Sequence, residues 1–172
     1  MRPLTTLTAL LLLALMPLAA QDKDTTDLLK VGDEMPEFTV SGLDGKAVTS
    51  DDLYGKVVLI SFTATWCVPC NLMLPILEKD IWTDYKDNED FVLMIIDREE
   101  PELKVAQFVE KRKYTMPFYL DPARVVYSKF ALDYIPRNYL FDTQGRLILN
   151  SQGHKAENLK VLKREVASLL NQ

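Results

Sequence analysis

Cysteine and histidine are scarce in this chain. Its 172 residues include two cysteines, Cys67 and Cys70, and one histidine, His154. A structural zinc site draws its ligands largely from paired cysteines and histidines, and no second cysteine pair is present. A disulfide-rich scaffold is excluded on the same ground. Also missing is any basic run. Lys and Arg total 20 against 25 Asp and Glu, a net charge of −5. That leaves no electrostatic footprint for nucleic acid. Nothing is repeated, low in complexity or linker-like, so the length fits one domain. Apolar residues, by contrast, make up 48% of the chain, ample for a core.

The first residues differ from the rest. Arg2 precedes an apolar run over residues 10–15, and Pro17-Leu18-Ala19-Ala20 supplies small residues before a polar stretch. This pattern predicts a secretory signal over residues 1–20, cleaved near Ala19 or Ala20. The run is short for a membrane-crossing helix; an uncleaved membrane anchor is the other reading. No cysteine lies near the cleavage site, so a lipid anchor on a processed cysteine is excluded. Residues 21–30 are polar and read as a flexible tether, which leaves residues 31–172 as the folded domain. Export would place the chain where disulfides persist.

The two cysteines share one motif, Trp66-Cys67-Val68-Pro69-Cys70. Residues 57–63 before it form an apolar, β-branched run that predicts a buried strand. After it, Leu72, Met73, Ile76 and Leu77 fall at helical spacing. A strand therefore feeds a helix, with Cys67 near its start. The first helical turn has unpaired N–H groups and the positive end of the dipole, and both favour thiolate over thiol. Thiolate is the form that attacks disulfides. Cys70 lies one turn on and can close onto Cys67. Pro69 suits the first turn, where the N–H it lacks would be unpaired. A structural disulfide is the duller reading, but so short a loop removes little unfolded-state entropy.

The remaining pattern predicts an α/β fold. Residues 38–49 read as a hairpin around Gly42-Leu43-Asp44-Gly45. The active-site helix is expected to run to about Lys86, with Pro75 kinking it. A second buried strand spans residues 91–97, apolar throughout as in parallel sheets. Pro101 opens a helix with Leu103, Ala106 and Val109 on one face. Residues 115–120 read as a short extended piece. Asp121-Pro122 predicts an N-cap and first turn leading through Val125, Val126 and Phe130. Residues 137–142 and 146–150 flank Thr143-Gln144-Gly145 as the clearest hairpin. Leu159, Leu162, Val166, Leu169 and Leu170 stripe a final helix. This order predicts a central mixed β-sheet flanked by helices, with the antiparallel hairpin at one edge.

Phe62-Thr63-Ala64-Thr65-Trp66-Cys67-Val68-Pro69-Cys70, with Pro75 downstream, resembles the active-site segment of the thioredoxin superfamily. More narrowly it resembles the exported TlpA/ResA-like thiol–disulfide oxidoreductases of the redoxin group. The resemblance covers about residues 31–170. It implies a thioredoxin-like fold with an added N-terminal β-hairpin, and a chain that works without a cofactor. It also implies that Cys67 is the nucleophile, that Cys70 resolves the mixed disulfide, and that the Ile135–Pro136 bond is cis and faces the cysteines. The backbone of Ile135 would then meet an extended substrate chain. Trp66, Val68 and Pro69 would contact that substrate. Implied partners are disulfide- or thiol-bearing exported proteins, cytochrome c apoproteins among them, and a membrane electron donor. The protein is expected to act as a monomer.

Two positions depart from the relatives. Thioredoxin has a buried Asp where Ser61 stands, and TlpA/ResA-like reductases often have a Glu where Met73 stands. No general base for Cys70 can be named from the sequence. Asp97 and Glu99 follow the second strand and could approach the site, but they read more readily as solvated carboxylates. The Val68-Pro69 dipeptide offers a thiolate no charged partner, which argues for a reducing or mid-range potential. Two other functions compete. A thiol peroxidase of the redoxin group would need a PxxxTxxC context, but Ala64 stands at its Thr. A copper-carrying or non-catalytic module would space its cysteines wider and add a histidine.

Overall fold

The computed structural model describes residues 26–171. The expected leader lies outside the described residues. Seven strands form one sheet: β1 (Thr39–Gly42), β2 (Ala47–Thr49), β3 (Val57–Thr63), β4 (Phe91–Arg98), β5 (Phe118–Asp121), β6 (Arg137–Phe141) and β7 (Leu147–Gln152). Their order across the sheet is β2-β1-β5-β4-β3-β6-β7. The helices are α1 (Val68–Leu77), α2 (Thr83–Tyr85), α3 (Glu102–Arg112), α4 (Tyr127–Phe130) and α5 (Ala156–Leu170).

The centre is parallel. β3 pairs with β4 from Val57↔Phe91 to Thr63↔Asp97, and β4 pairs in the same sense with β5. All seven residues of β3 are buried, as expected of a strand covered on both faces. β6 runs antiparallel to β3, and β7 closes that edge. The added hairpin β1–β2 extends the other edge through β5.

Strand alternation divides the core. Val58, Ile60, Phe62, Met94 and Ile96 pack with Tyr127, Phe130 and Tyr139 on one face. Leu59, Leu93, Ile95 and Leu140 pack with Met73, Leu74 and Leu77 of α1, and with α5, on the other. The same alternation carries Ser61, Thr63, Asp97 and Asn138 to the α1 face, toward the end where the cysteines lie. Asn138 Nδ2 reaches Met73 Sδ at 3.4 Å.

Four expectations are corrected. The active-site helix is not one run: α1 contains Pro75 and gives way to a π turn over Glu78–Trp82 before α2. The Thr83 N–H and hydroxyl both donate to the Glu78 carbonyl across it. Residues 26–30, expected within a flexible tether, are docked. Leu28 N–H donates to Phe130 O, and the Asp27 carboxylate meets Arg137, Tyr139 and Asn150. α3 buries Val105, while Leu103 is exposed. Asp121 does not start a helix at Pro122. Its carboxylate accepts the N–H groups of Val126 and Tyr127, so α4 begins later and lasts one turn.

Candidate active site

β3 ends at Thr63, and the chain turns through Ala64, Thr65 and Trp66 onto α1. Cys67 is the N-cap of α1, and its N–H donates to Ala64 O at 3.1 Å. Cys70 N–H donates to Cys67 Sγ at 3.2 Å. The two sulfurs are joined, with S–S 2.06 Å and Cα–Cα 5.2 Å. Cys70 is wholly buried, whereas Cys67 lines an open cleft and retains 4% exposure. A thiolate at Cys67 would thus meet a helix N-terminus and at least one directed N–H.

The predicted contact residues gather around that cleft, which holds about 380 Å³. Trp66 and Val68 stand 55% and 70% exposed at its rim, and Pro69 is half-buried beside them. Opposite lie Asp133, Tyr134 and Ile135. The Ile135–Pro136 bond is cis, and Ile135 O lies 3.8 Å from Cys67 Sγ. Pro136 itself is buried behind Ile135.

Beneath α1 lies a polar layer in which Ser61 and Asp97, singled out in the sequence, are joined by Thr63 and Asn138, which were not. Ser61 Oγ, Thr63 Oγ1, Asn138 Oδ1 and both Asp97 carboxylate oxygens are buried with no hydrogen-bond partner among the described residues. Asp97 is therefore not the solvated carboxylate expected. Burial, reinforced by the Glu100 charge, pushes its carboxyl up to about 8. Its carboxyl thus holds its proton well above the usual carboxylate range. Glu99, by contrast, is exposed and bonded to Arg98.

Glu100 behaves in the opposite way. It is almost fully buried, which acts to raise its carboxyl. Hydrogen bonds from Lys104, from the Thr65 hydroxyl and from the Thr65 N–H outweigh burial and hold it below the usual range. The distances are 2.5 Å to Lys104 Nζ, 2.7 Å to Thr65 Oγ1 and 2.5 Å to Thr65 N. Glu100 thereby fastens the residue that precedes Trp66-Cys67. A Glu and a Lys four apart at a helix start were the available signal.

The far wall is fastened separately. The Arg98 guanidinium lies 4.5 Å from the centre of the Tyr127 ring, and Arg124 lies 5.1 Å from it. Tyr127 Oη donates to Tyr134 O, and Arg124 Nη2 donates to Leu132 O. Tyr134 has φ 68°, in the left-handed region unusual for a bulky residue. These bonds hold the loop that delivers Ile135 and Pro136. Arg98 also lines the cleft itself.

Comparison with known proteins agrees with this geometry. The Redoxin family matches residues 30–167. The thiol-disulfide oxidoreductase ResA of Bacillus cereus is 28% identical over 120 residues, spanning 70% of this chain and 68% of the relative. The solution structure of a candidate protein disulfide isomerase from Bacteroides thetaiotaomicron is 38% identical with a TM-score of 0.83, covering 86% of this chain and 94% of that one. StoA from Bacillus subtilis, at 20% identity and TM-score 0.63 over 75% of this chain and 95% of its own, shares the fold. The chain belongs to the redoxin family: it is a TlpA/ResA-like thiol–disulfide oxidoreductase of the thioredoxin superfamily.

Proposed function

We propose that the protein reduces disulfides in exported proteins, with Cys67 as the attacking sulfur. The asymmetry of the two sulfurs supports this most directly. Cys67 caps α1 at the cleft, and Cys70 is sealed beneath it. In the dithiol form, Cys67 thiolate attacks one sulfur of a substrate disulfide. A mixed disulfide forms and the other substrate sulfur leaves as thiolate. Cys70 then attacks Cys67 Sγ, the second substrate sulfur leaves, and the Cys67–Cys70 disulfide results. Two electrons have passed to the substrate.

Trp66, Val68 and Pro69 offer the substrate an apolar platform, and the Ile135 backbone offers it a pairing edge. The leader over residues 1–20 directs the chain to the cell envelope. There a membrane donor returns the disulfide to the dithiol, and cytochrome c apoproteins with oxidised haem-attachment cysteines are among the substrates. The domain works as a monomer. Substrate trapping tests the role assignment. Cys70→Ser should accumulate mixed disulfides through Cys67. Cys67→Ser should trap nothing and lose insulin-disulfide reduction. Equal trapping by the two variants would overturn it.

A further inference from the structure

The Val68-Pro69 dipeptide supplies no cation, but β4 does. Arg98 ends that strand and lines the cleft with Cys67, Trp66 and Ile135. It is only 5% exposed. Its charge is sparsely matched. Nη1 lies 2.6 Å from Glu99 Oε2, an oxygen of an exposed side chain. Nε is buried with no acceptor among the described residues. Its guanidinium also lies over the face of Tyr127. A buried cation with so few partners is costly unless an anion arrives. The disulfide is neutral and offers none. Reduction places a thiolate in the same cleft.

We propose that Arg98 is a positioning residue whose charge stabilises the Cys67 thiolate, so that reduction of the disulfide completes a charge balance the oxidised form leaves open. The half-reaction balances with two electrons and one proton: the S–S bond breaks, Cys70 takes the proton, and Cys67 carries the negative charge. This rests on the reading of Cys67 as the attacking sulfur. Other groups bear on the same sulfur. Asp133 and Tyr134 line the opposite wall, and Asp133 acts against the thiolate. Glu99 competes for Arg98, although solvent weakens it. Asp97 precedes Arg98 on β4 and Glu100 lies two residues past it, with Lys104 of α3 offsetting Glu100. Asp121 is Arg98's neighbour on β5, its carboxylate turned to the N–H groups of Val126 and Tyr127. Arg124 adds positive charge across the Tyr127 ring.

The test is the rate of iodoacetamide alkylation of Cys67 against pH, together with the dithiol–disulfide equilibrium in glutathione buffers, for the full chain and its variants. Arg98→Met should slow alkylation at pH 6 by about 3–10-fold and shift the equilibrium toward the disulfide by a similar factor, with the high-pH plateau unchanged. Arg98→Lys should restore most of both. Glu99→Gln, which frees Arg98 from its competitor, should speed alkylation at pH 6 by about twofold. A folded Arg98→Met with the unaltered profile would overturn the proposal, as would Arg98→Lys behaving like Arg98→Met. Should Arg98→Met fail to fold, Glu99→Gln decides, and an unchanged or slower rate overturns it. If instead the unaltered chain shows no acidic thiol and no disulfide exchange, the proposed function fails rather than the role of Arg98.

Discussion

The two walls of the cleft are built differently. The cysteine wall, Thr65 to Cys70, is contiguous in sequence and held by one buried carboxylate, Glu100. The proline wall, Leu132 to Pro136, is held by Arg124, Arg137 and Tyr127, whose donors meet the Leu132, Asp133 and Tyr134 carbonyls, with the Arg98 and Arg124 guanidinium groups over the Tyr127 ring. Both supports involve the end of β4. Arg98 and Glu100, two residues apart, serve opposite walls. The distance between Cys67 and Ile135 therefore depends on one short segment with no cysteine or proline in it.

Removing each support should separate the walls' contributions. The largest effect is expected for Tyr127→Ala. It removes a fully buried ring that also packs edge-on to Phe62 at 5.1 Å and leaves two arginines unstacked. A loss of ~3–5 kcal/mol in urea unfolding is expected. Tyr127→Phe keeps the packing and deletes the hydroxyl that donates to Tyr134 O and meets Arg137, at about 1–2 kcal/mol. If the two variants were equally destabilised, the hydroxyl rather than the stack would hold the proline wall.

Asp97 comes next, and its sign is unusual. An unfolded Asp titrates near 3.8, whereas in the folded chain Asp97 does so at about 8. Between those values the folded state keeps a proton that the unfolded state releases, so stability falls as pH rises through the window. Asp97→Asn cannot ionise. It should match the parent near pH 4 and exceed it by at least ~2 kcal/mol at pH 9. No divergence with pH would mean that Asp97 stays ionised in its buried layer.

Glu100 should show the opposite slope. Its lowered carboxyl contributes stability above the unfolded carboxylate range, and that contribution is lost as pH falls through the folded value. Glu100→Gln should cost about 1–2 kcal/mol at pH 7 and nearly nothing in strong acid, the half-exposed Lys104 limiting the effect. The smallest effect on stability belongs to Trp66→Ala, within about 0.5 kcal/mol because the ring stands in solvent. There the change should fall on KM for a protein disulfide.

What could be read from the sequence follows from what is local. The buried strand β3, the cap at Cys67, the hairpin β6–β7 and the stripe of α5 are each written in one short window. The end of β4 is different. Asp97-Arg98-Glu99-Glu100 carries four charges in a row and looks like a solvated loop. Only the partners reverse that impression, and they are remote: Thr65 for Glu100, Tyr127 for Arg98. The parity of β4 did carry a hint, because Leu93, Ile95 and Asp97 alternate onto one face. In α3, Leu103 fitted an apolar stripe, but the sheet covers only the Val105 side. Asp121-Pro122 has the composition of a helix start, yet the carboxylate reaches past the turn to later N–H groups.

The segment ahead of β1 also serves the cleft. Asp27 is bonded to Arg137, the residue directly after Pro136, and to Tyr139 and Asn150 farther along the same hairpin. The strand that leads out of the cleft is thus tethered from behind by residues that look dispensable. Processing that removed Asp27 would take from Arg137 the carboxylate it meets in a buried place. A shortened version starting at residue 31 should therefore bind a disulfide substrate less well even with both sulfurs in place, measured as a raised KM.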